Sequence, residues 1–529
     1  MHNYQGPGRS VAFARQAMCC TSHPFAAKAA LDILGCGGNA VDAAIAGAVV
    51  LGLCEPMMTG LGGDAFAIIH TPGADRMIGL NGSGRAPAAL DAALLRGQGL
   101  KSVPLESVHS VTLPGAIDAF DRLLKDWGKL DFAAVLAPAI HYAETGIPVC
   151  HRTAIDWATF GGRLHGPGKK HYLHNGQRYV AGQTYASPAQ AEALRLIARE
   201  GRDAFYRGDI MEDMLATLRA AGGLHSADDF DNVAAMYVDP IEITYRGLDL
   251  VELPPNGQGA TALLMAKILE RFDVHALDPV GAKRVHLEAE AARLAYGARN
   301  RFIGDPEDAE VELSHMLSEK TADDFAALID LKRANPAIDE RAEAVHKDTV
   351  YICVVDQDRM AVSLIYSLFY PFGSGLASDR FGIAFQNRGT GFNLIEGHVN
   401  ELKGGRRPLH TLIPGFLRQR QESVTPFGVM GGPYQAAGHA HLVSNIVDFG
   451  MDLQEAIDGP RSFADPATGT LSLEAGFSES VAAELTSMGH KVVRAPIGMG
   501  GAQAISVNLK TGLLTGATDP RKDGVALGM

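Results

Sequence analysis

A threonine at the start of a predicted hairpin is the residue of this 529-residue sequence best placed to do chemistry. Residues 349–356 are β-branched and aromatic without a helix former, which predicts a strand, and a turn at 357–359 leads to a second predicted strand at 360–368. The polar stretch 305–348 before them predicts an exposed connection. The hydroxyl of Thr349 therefore lies where an exposed segment meets a buried hairpin, and we take it as a candidate nucleophile.

Other residues whose side chains could do chemistry are more simply explained by structural roles. The glycine-rich loop 59–64 leads into a predicted strand and has no lysine beside it, which predicts a tight turn and not a phosphate site. Cys353 lies within an apolar strand, which is typical of a core thiol. His439 and His441 lie two residues apart on a predicted helix, so their rings point to different faces. A metal hydrolase using them with His410 is the alternative, which a chelator would test, but no metal or cofactor is predicted.

Composition and charge exclude several classes of protein. The chain is 47% hydrophobic and 20% charged, which is ordinary for a soluble protein with a large core. Its net charge of −13 is opposite to that of a general nucleic-acid binder. The six cysteines include no CxxC pair, so neither a disulfide scaffold nor a zinc ribbon is expected. The N-terminus lacks a secretory signal and the longest apolar run, 43–54, is too short to span a bilayer, so we expect a cytoplasmic protein without membrane contact.

The elements that must hold Thr349 in place are predicted from hydrophobic pattern and breakers. A helix pair is predicted over 22–54, with Asn39 capping the second helix. The chain from 349 onward is rich in strands, with one helix at 438–448. Further predicted elements are helical stretches at 112–160, 187–221, 260–270 and 284–299 and a strand at 246–253. Helices early, strands late and a hairpin between them predict αββα layers and not a doubly wound sheet.

Several motifs together resemble the gamma-glutamyltransferase family of N-terminal nucleophile hydrolases, over nearly the whole chain. They are GGNAVDAA at 37–44, TGLGG at 59–63, PG at 114–115, AY at 295–296, GDP at 304–306, Thr349 with VVD at 354–356, and TDPR at 518–521. The resemblance implies an α+β fold, the four-layer αββα sandwich of that class. It also implies an enzyme that hydrolyses amides or transfers their acyl groups without a cofactor.

The resemblance further implies a proenzyme cut between Asp348 and Thr349. Thr349 Oγ would attack the carbonyl of Asp348, and hydrolysis of the resulting ester would give a large fragment, 1–348, and a small fragment, 349–529. The two fragments would stay associated as one intertwined domain, and a dimer of such heterodimers is one assembly that the resemblance allows. The α-amine freed by the cut titrates near pH 8, so one residue would supply both nucleophile and base.

Two further features of the resemblance complete a catalytic site. Gly431 and Gly432 resemble the oxyanion hole of the family, because glycines allow two backbone N–H groups to approach a developing oxyanion. Ser367 stands where the family has a hydroxyl beside the nucleophile, so it is expected to orient Thr349. A turn and a hydrogen-bonded strand serine are the structural alternatives for these positions.

Residues that would recognise the substrate depart from the glutamyl pattern. An arginine of the family is replaced by Ser83, and the acidic partner of the substrate amine is replaced by Gly391. A family asparagine is replaced by Phe369, and a Ser-Ser pair by His410 and Thr411. Candidate substrate-binding residues are Arg85, Arg388, His410, Thr411, Asn387 and Tyr434.

These departures predict the kind of acyl group that the site accepts. A buried ammonium without a carboxylate partner is costly, whereas Arg85 or Arg388 could hold a carboxylate bidentately. The sequence is thus similar to the cephalosporin acylase-like and oxamate amidohydrolase-like branches, and it predicts a self-processing amidohydrolase for a small carboxylate-bearing acyl substrate. The alternatives are genuine gamma-glutamyl transfer or glutathione hydrolysis, and an inactive binding or scaffold homologue.

Overall fold

A computed structural model describes residues 8–74, 76–335 and 349–529. The predicted cleavage residue Asp348 lies outside these described residues, and Thr349 is the first residue after the gap. The strands in the described residues are β1 (Ala12–Ala14), β2 (Met18–Thr21), β3 (Asp64–His70), β4 (Ile78–Gly82), β5 (Ile147–Pro148), β6 (Thr184–Tyr185), β7 (Met236–Val238), β8 (Ile241–Tyr245), β9 (Leu248–Glu252), β10 (Val350–Val355), β11 (Ala361–Ser367), β12 (Gly415–Gln419), β13 (Ser423–Met430), β14 (Ser462–Ala464), β15 (Thr470–Leu473), β16 (Lys491–Arg494), β17 (Gly501–Asn508), β18 (Leu514–Thr518) and β19 (Val525–Gly528).

Helices lie before, between and after these strands. They are α1 (Pro24–Gly35), α2 (Ala40–Cys54), α3 (Ala92–Gly97), α4 (Ala116–Trp127), α5 (Phe132–Thr145), α6 (His151–Phe160), α7 (Pro167–Tyr172), α8 (Pro188–Glu200), α9 (Arg202–Tyr206), α10 (Asp209–Ala220), α11 (Ala227–Asp231), α12 (Gly259–Leu269), α13 (Ala282–Phe302), α14 (Leu313–Met316), α15 (Glu319–Ala327), α16 (Tyr434–Val447), α17 (Leu453–Asp458) and α18 (Glu479–Ser487). Within the described ranges, none of them is long and apolar enough to span a bilayer.

Two seven-stranded sheets form the centre of the fold and confirm the predicted αββα layers. One sheet has the strand order β19-β2-β10-β11-β3-β4-β7, and the other β1-β18-β17-β13-β12-β9-β8. Apolar residues of α1, α2, α4, α5 and α8 pack on the outer face of the first sheet, and those of α12, α13 and α16 pack on the outer face of the second. A third cluster fills the space between the two sheets.

The central strand β10 shows why its sequence is apolar throughout. Val350, Ile352 and Val354 face the helical layer, while Tyr351, Cys353 and Val355 face the space between the sheets. Both faces of the strand are buried, so the polar-apolar alternation of a half-exposed strand is absent. Cys353 is a fully buried core residue, as predicted.

The predicted hairpin and helix pair are confirmed in the structure. Val350 pairs with Tyr366 and Val355 with Ala361, so β10 and β11 form the expected antiparallel hairpin. Asn39 caps α2 through a capping box with Asp42. The whole of α2 is buried, which its small apolar residues permit.

Helix α16 begins four residues earlier than the predicted start at 438. The glycine at that position lies inside the helix, where a Cβ atom would approach Val429 Cγ1 to 2.7 Å. A glycine that suggested a helix boundary is therefore required for close packing of α16 on β13. The correction matters because it puts Tyr434 and Gln435 in the first turn of the helix, directly after Gly431 and Gly432.

Both central sheets combine strands from either side of residue 349. One contains β2, β3, β4 and β7 with β10, β11 and β19, and the other contains β1, β8 and β9 with β12, β13, β17 and β18. Separating residues before 349 from those after it would break both sheets and expose both core faces. Fragments produced by a cut before Thr349 are therefore expected to remain associated.

Candidate active site

The hydroxyl of Thr349 lies at the entrance to β10, between residues from two different elements. It is 1% exposed and lies 3.4 Å from Ser367 Oγ, at the end of the paired strand β11. Gln435 Nε2, from the first turn of α16, approaches the same Thr349 oxygen to 3.4 Å. The structure thus brings together the candidate nucleophile and Ser367, and it adds the side-chain amide of Gln435.

The glycine pair forms the sharp turn between β13 and α16. Gly431 has φ of +121° and Gly432 has φ of +57°, a region where a side chain would be strained. The carbonyl of Gly432 accepts hydrogen bonds from Gln258 Nε2 at 3.0 Å and from the backbone N–H of Gln435 at 3.2 Å. Gln435 therefore contacts both Thr349 and the glycine turn, which holds the turn close to the nucleophile.

Arg388 is a fully buried cation next to these groups. Its Nη1 donates to Thr411 Oγ1 at 2.9 Å, and its guanidinium carbon lies 3.8 Å from the centroid of the Phe369 ring. Within the described residues, its Nε and Nη2 atoms have no hydrogen-bond partner. Burial lowers the pKa of Arg388 to about 9, against the opposing charges of Asp64 and Tyr370, so the side chain is a cation at neutral pH.

Phe369 connects the cation to the nucleophile. Its backbone N–H donates to Ser367 Oγ at 2.8 Å, while its ring lies against Arg388. Its φ of +80° is unusual for a bulky residue and is typical of positions where function holds the backbone under strain. The residue that replaces the family asparagine thus has a defined place in the site.

A buried carboxylate, Asp64, balances the charge of Arg388. Burial raises the pKa of Asp64 to about 6, while Arg388 and several hydrogen bonds oppose this effect. Its Oδ1 accepts from Gln386 Nε2 at 2.8 Å and from the backbone N–H of Gly84 and Gly115 at 3.0 Å each. Because these donors occupy it, Asp64 is a fixed counter-charge and not a partner for a substrate ammonium.

Comparison with known proteins agrees with this geometry. The gamma-glutamyltranspeptidase family model matches residues 26–529. The chain belongs to this family. It is 34% identical to the oxamate amidohydrolase proenzyme of Klebsiella pneumoniae and 33% identical to the glutathione hydrolase-like YwrD proenzyme of Bacillus subtilis, with 97% of this chain and 98% of each relative covered. A solved cephalosporin acylase from Bacillus halodurans has a TM-score of 0.91 and 36% identity, over 100% of this chain and 99% of that one.

Membership of the gamma-glutamyltranspeptidase family confirms the predicted class of enzyme. The protein is a self-processing, amide-cleaving enzyme with the N-terminal nucleophile hydrolase fold. The inactive-homologue alternative has no support from these relatives, which are named as hydrolases and acylases.

Two of the other predicted substrate-binding residues are engaged in structural contacts. Arg85 is one-third exposed, forms an ion pair with Glu307 and donates to the carbonyl of Gly405 at 2.8 Å. Asn387 is buried, accepts from the N–H of Tyr370 at 3.2 Å and donates to the carbonyl of Leu105 at 3.0 Å. Arg85 thus already has an anionic partner, whereas two nitrogen atoms of Arg388 have no hydrogen-bond partner among the described residues.

His410 is hydrogen-bonded to Asp64, the counter-charge of Arg388, and is held in one tautomer. Its Nδ1 accepts from the N–H of Leu412 at 3.2 Å, so Nε2 carries the proton and donates to Asp64 Oδ2 at 3.1 Å. Burial, together with the charge of Arg388, lowers the pKa of His410 well below its usual range, which makes it a neutral donor. Its contact with Asp64 orients that carboxylate.

The three histidines of the metal-hydrolase alternative do not converge in the structure. His439 Nδ1 lies 2.6 Å from Glu252, and His441 Nδ1 lies 3.1 Å from Glu288, whereas His410 contacts Asp64. Each imidazole therefore has its own carboxylate partner. The geometry gives no reason to assign these histidines to a metal.

A different group, His286, Glu290 and His490, has its potential ligand atoms within 4.8 Å of one another among the described residues. His286 Nδ1 and His490 Nε2 are 2.7 Å apart, and Arg293 Nη2 lies 3.0 Å from His490 Nδ1. His286 Nε2 is 2.8 Å from the carbonyl of Asp330. These groups satisfy one another by hydrogen bonds, and Arg293 supplies positive charge next to Glu290, so the cluster anchors the segment near 330 without needing an ion.

Gln258 and Asp64 are site residues that the sequence did not single out. Gln258 lies near the end of the breaker segment 254–259, directly before helix α12, and Asp64 directly follows the glycine-rich turn 59–63. A polar residue directly after a glycine-rich turn, at the start of a buried strand or helix, is the signal that could have indicated them.

Gln258→Leu is expected to lower kcat about 10-fold with a smaller change in KM. Gln258 Nε2 donates to the carbonyls of Gly432 and Thr411 at 3.0 Å each, so its loss leaves the Gly432 carbonyl with only the N–H of Gln435 and removes the side-chain donor of the Thr411 carbonyl. Gln190→Leu is the matched control, since Gln190 is also buried but bonds Tyr172 instead. Steady-state kinetics of both variants measure kcat and KM. An unchanged kcat in Gln258→Leu, or an equal loss of kcat in both variants, contradicts the positioning role of Gln258.

Proposed function

We propose that this enzyme hydrolyses amides whose acyl group carries a free carboxylate, through an acyl ester on Thr349. The observation that carries the proposal is Arg388, a fully buried guanidinium with two nitrogen atoms that lack a partner among the described residues. Leaving such donors unpaired is costly, and a planar carboxylate is the ligand that a guanidinium binds best. Asp64 Oδ1 accepts from three donors and Oδ2 from His410 Nε2, so this carboxylate is engaged by the protein and not held ready for an α-ammonium.

In the proposed reaction the cut before Thr349 gives this residue a free α-amine. The amine takes the proton from Thr349 Oγ as the oxygen attacks the amide carbonyl of the substrate. The N–H groups of Gly431 and Gly432 stabilise the oxyanion, and Ser367, 3.4 Å from Thr349 Oγ, orients the nucleophile. The carbon–nitrogen bond then breaks, the leaving amine receives the proton, and water hydrolyses the Thr349 ester.

A large cavity reaches two residues that contact Arg388, although Arg388 itself is not part of its lining. Its volume is about 900 Å³, and Phe369 and Thr411, the two contacts of Arg388, are part of its lining. The oxamate amidohydrolase and cephalosporin acylase to which the chain is similar are named for amide substrates other than glutathione. These similarities agree with an acyl group that has a carboxylate and lacks an α-amine.

A panel of three substrates tests the proposal. We expect kcat/KM for glutaryl-p-nitroanilide to exceed that for γ-glutamyl-p-nitroanilide by about 10-fold, because the second carries an ammonium into a site with a buried cation. Oxamate, whose acyl group also bears a carboxylate, is the third substrate and reports on how short an acyl group the site accepts. Preference for the γ-glutamyl compound would favour gamma-glutamyl transfer or glutathione hydrolysis instead.

A further inference from the structure

Residues 330–335, the last described residues before Thr349, are attached to the part of the chain that follows the predicted cut. The backbone N–H of Ala334 donates to the carbonyl of Met488 at 2.8 Å. Ala334 is buried, and Met488 lies between α18 and β16. After a cut before Thr349, the end of the large fragment would therefore rest on the small fragment.

A row of three side chains supports this contact. Arg293 Nη2 lies 3.0 Å from His490 Nδ1, and His490 Nε2 lies 2.7 Å from His286 Nδ1. His286 Nε2 lies 2.8 Å from the carbonyl of Asp330. Arg293 and His286 are on α13, whereas His490 comes two residues after Met488. The row thus starts in the large fragment, passes through the small fragment and returns to the segment 330–335.

The direction of the hydrogen bonds in this row requires both imidazoles to be neutral. A guanidinium only donates, so His490 Nδ1 accepts from Arg293 and the proton of His490 is on Nε2. That proton is donated to His286 Nδ1, so His286 carries its own proton on Nε2 and donates it to the carbonyl of Asp330. A second proton on either ring would place an N–H against another donor.

We propose that His286 and His490 form a proton-sensitive junction between the two fragments. The junction holds residues 330–335 on the small fragment while both rings are neutral, and it releases them when one ring takes up a proton. The same residues are present in the cut and in the uncut chain, so the junction does not depend on the substrate of the enzyme or on its processing.

The charged groups around the pair, among the described residues, favour the neutral rings. Arg293 faces His490 directly, and Glu290, which could offset a new positive charge, is already paired with Arg293. The carboxylate of Asp330 accepts from a backbone N–H of its own segment at 2.9 Å, and Lys491 on β16 is exposed. Burial, together with Arg293 and His286, lowers the pKa of His490 to about 3.

The lowered pKa of His490 gives the sign of the pH dependence. In the released state a histidine has its ordinary pKa of about 6.5, so below that pH the released state binds more protons than the junction. The junction is therefore at full strength above about pH 6.5 and weakens as the pH falls. The population of the released state should rise by up to about 10-fold per pH unit between about pH 6.5 and pH 3.

Hydrogen exchange at the amides of Ala334 and Asn335 tests the proposal on the full enzyme. These amides donate to Met488 and Glu290 in the junction and lose both acceptors on release. After correction for the intrinsic pH dependence of exchange, their protection should fall about 30-fold from pH 7.5 to pH 5 and recover when the pH is restored. The amides of β10, which report opening of the central sheet, should lose much less protection.

A double variant, His286→Gln with His490→Gln, removes both titrating rings and should change its protection at 334–335 less than about 3-fold over the same pH range. His225→Gln is the matched control, because His225 is also buried but bonds the carbonyl of Val111 at 3.0 Å, and it should keep the wild-type pH dependence. Constant protection in the wild type, a fall in parallel with β10, or an equal fall in the double variant overturns the junction. If the double variant does not fold, the comparison of 334–335 with β10 in the wild type decides by itself.

Discussion

Thr349→Ala is expected to leave the chain uncut and to lower amide hydrolysis by at least about 10³-fold. The wild type should instead yield two fragments, 1–348 and 349–529, which share the 56.0 kDa of the chain roughly two to one. The reason is that one hydroxyl serves both steps: it opens the chain, and it then accepts the acyl group of the substrate. A denaturing gel followed over time and a hydrolysis assay on the same samples measure the two losses.

Two variants give this prediction its controls. Thr349→Ser keeps the hydroxyl and should still be processed, since the chemistry needs the oxygen and not the methyl group. Cys353→Ser removes the thiol four residues away, which faces the space between the sheets and has no part in the reaction. Cleavage that persists in Thr349→Ala, or that stops in Cys353→Ser while the fold is intact, would contradict the assignment of the nucleophile.

Arg388→Leu is expected to lower kcat/KM for glutaryl-p-nitroanilide about 100-fold, because the buried carboxylate of the substrate would lose its guanidinium partner and stay uncompensated. Butyryl-p-nitroanilide, which is similar in size but lacks the carboxylate, should lose much less. Arg388→Lys keeps the charge next to Asp64 but cannot form two parallel hydrogen bonds, so an intermediate loss is expected. Parallel kinetics with the two substrates separate carboxylate binding from general damage to the site.

Arg85→Leu is the matched comparison, since its guanidinium is already paired with Glu307 and is one-third exposed. We expect less than about a 3-fold change in kcat/KM, because a surface ion pair contributes little. Thermal unfolding of each variant checks that the fold is retained, which matters for Arg388→Leu because it removes the charge that balances Asp64. If both anilides fall equally in folded Arg388→Leu, or if Arg85→Leu has the larger effect, Arg388 is not the carboxylate site.

Local pattern was enough to predict the elements around Thr349. The hairpin β10-β11, the capped helix α2 and the layer order all follow from residues close together in the chain, because strand and helix periodicity and capping act over a few residues. The predicted start of α16 was wrong because the sequence does not distinguish a glycine needed for packing against Val429 from a glycine at a helix boundary. That distinction depends on the packing of α16 against Val429, nine residues away, which no local pattern contains.

The sequence by itself determined the kind of protein: the order of its layers, the position of the threonine, and a set of family motifs that identify its reaction class. Only the tertiary structure decided which arginine has donors available for a substrate carboxylate. Arg85 and Arg388 are equivalent in the sequence, but Arg85 is paired with Glu307, whereas Arg388 is buried with two nitrogen atoms that lack a hydrogen-bond partner among the described residues. The physical reason is that burial, and with it the cost of an unpaired charge, is a property of the assembled layers and not of the residue.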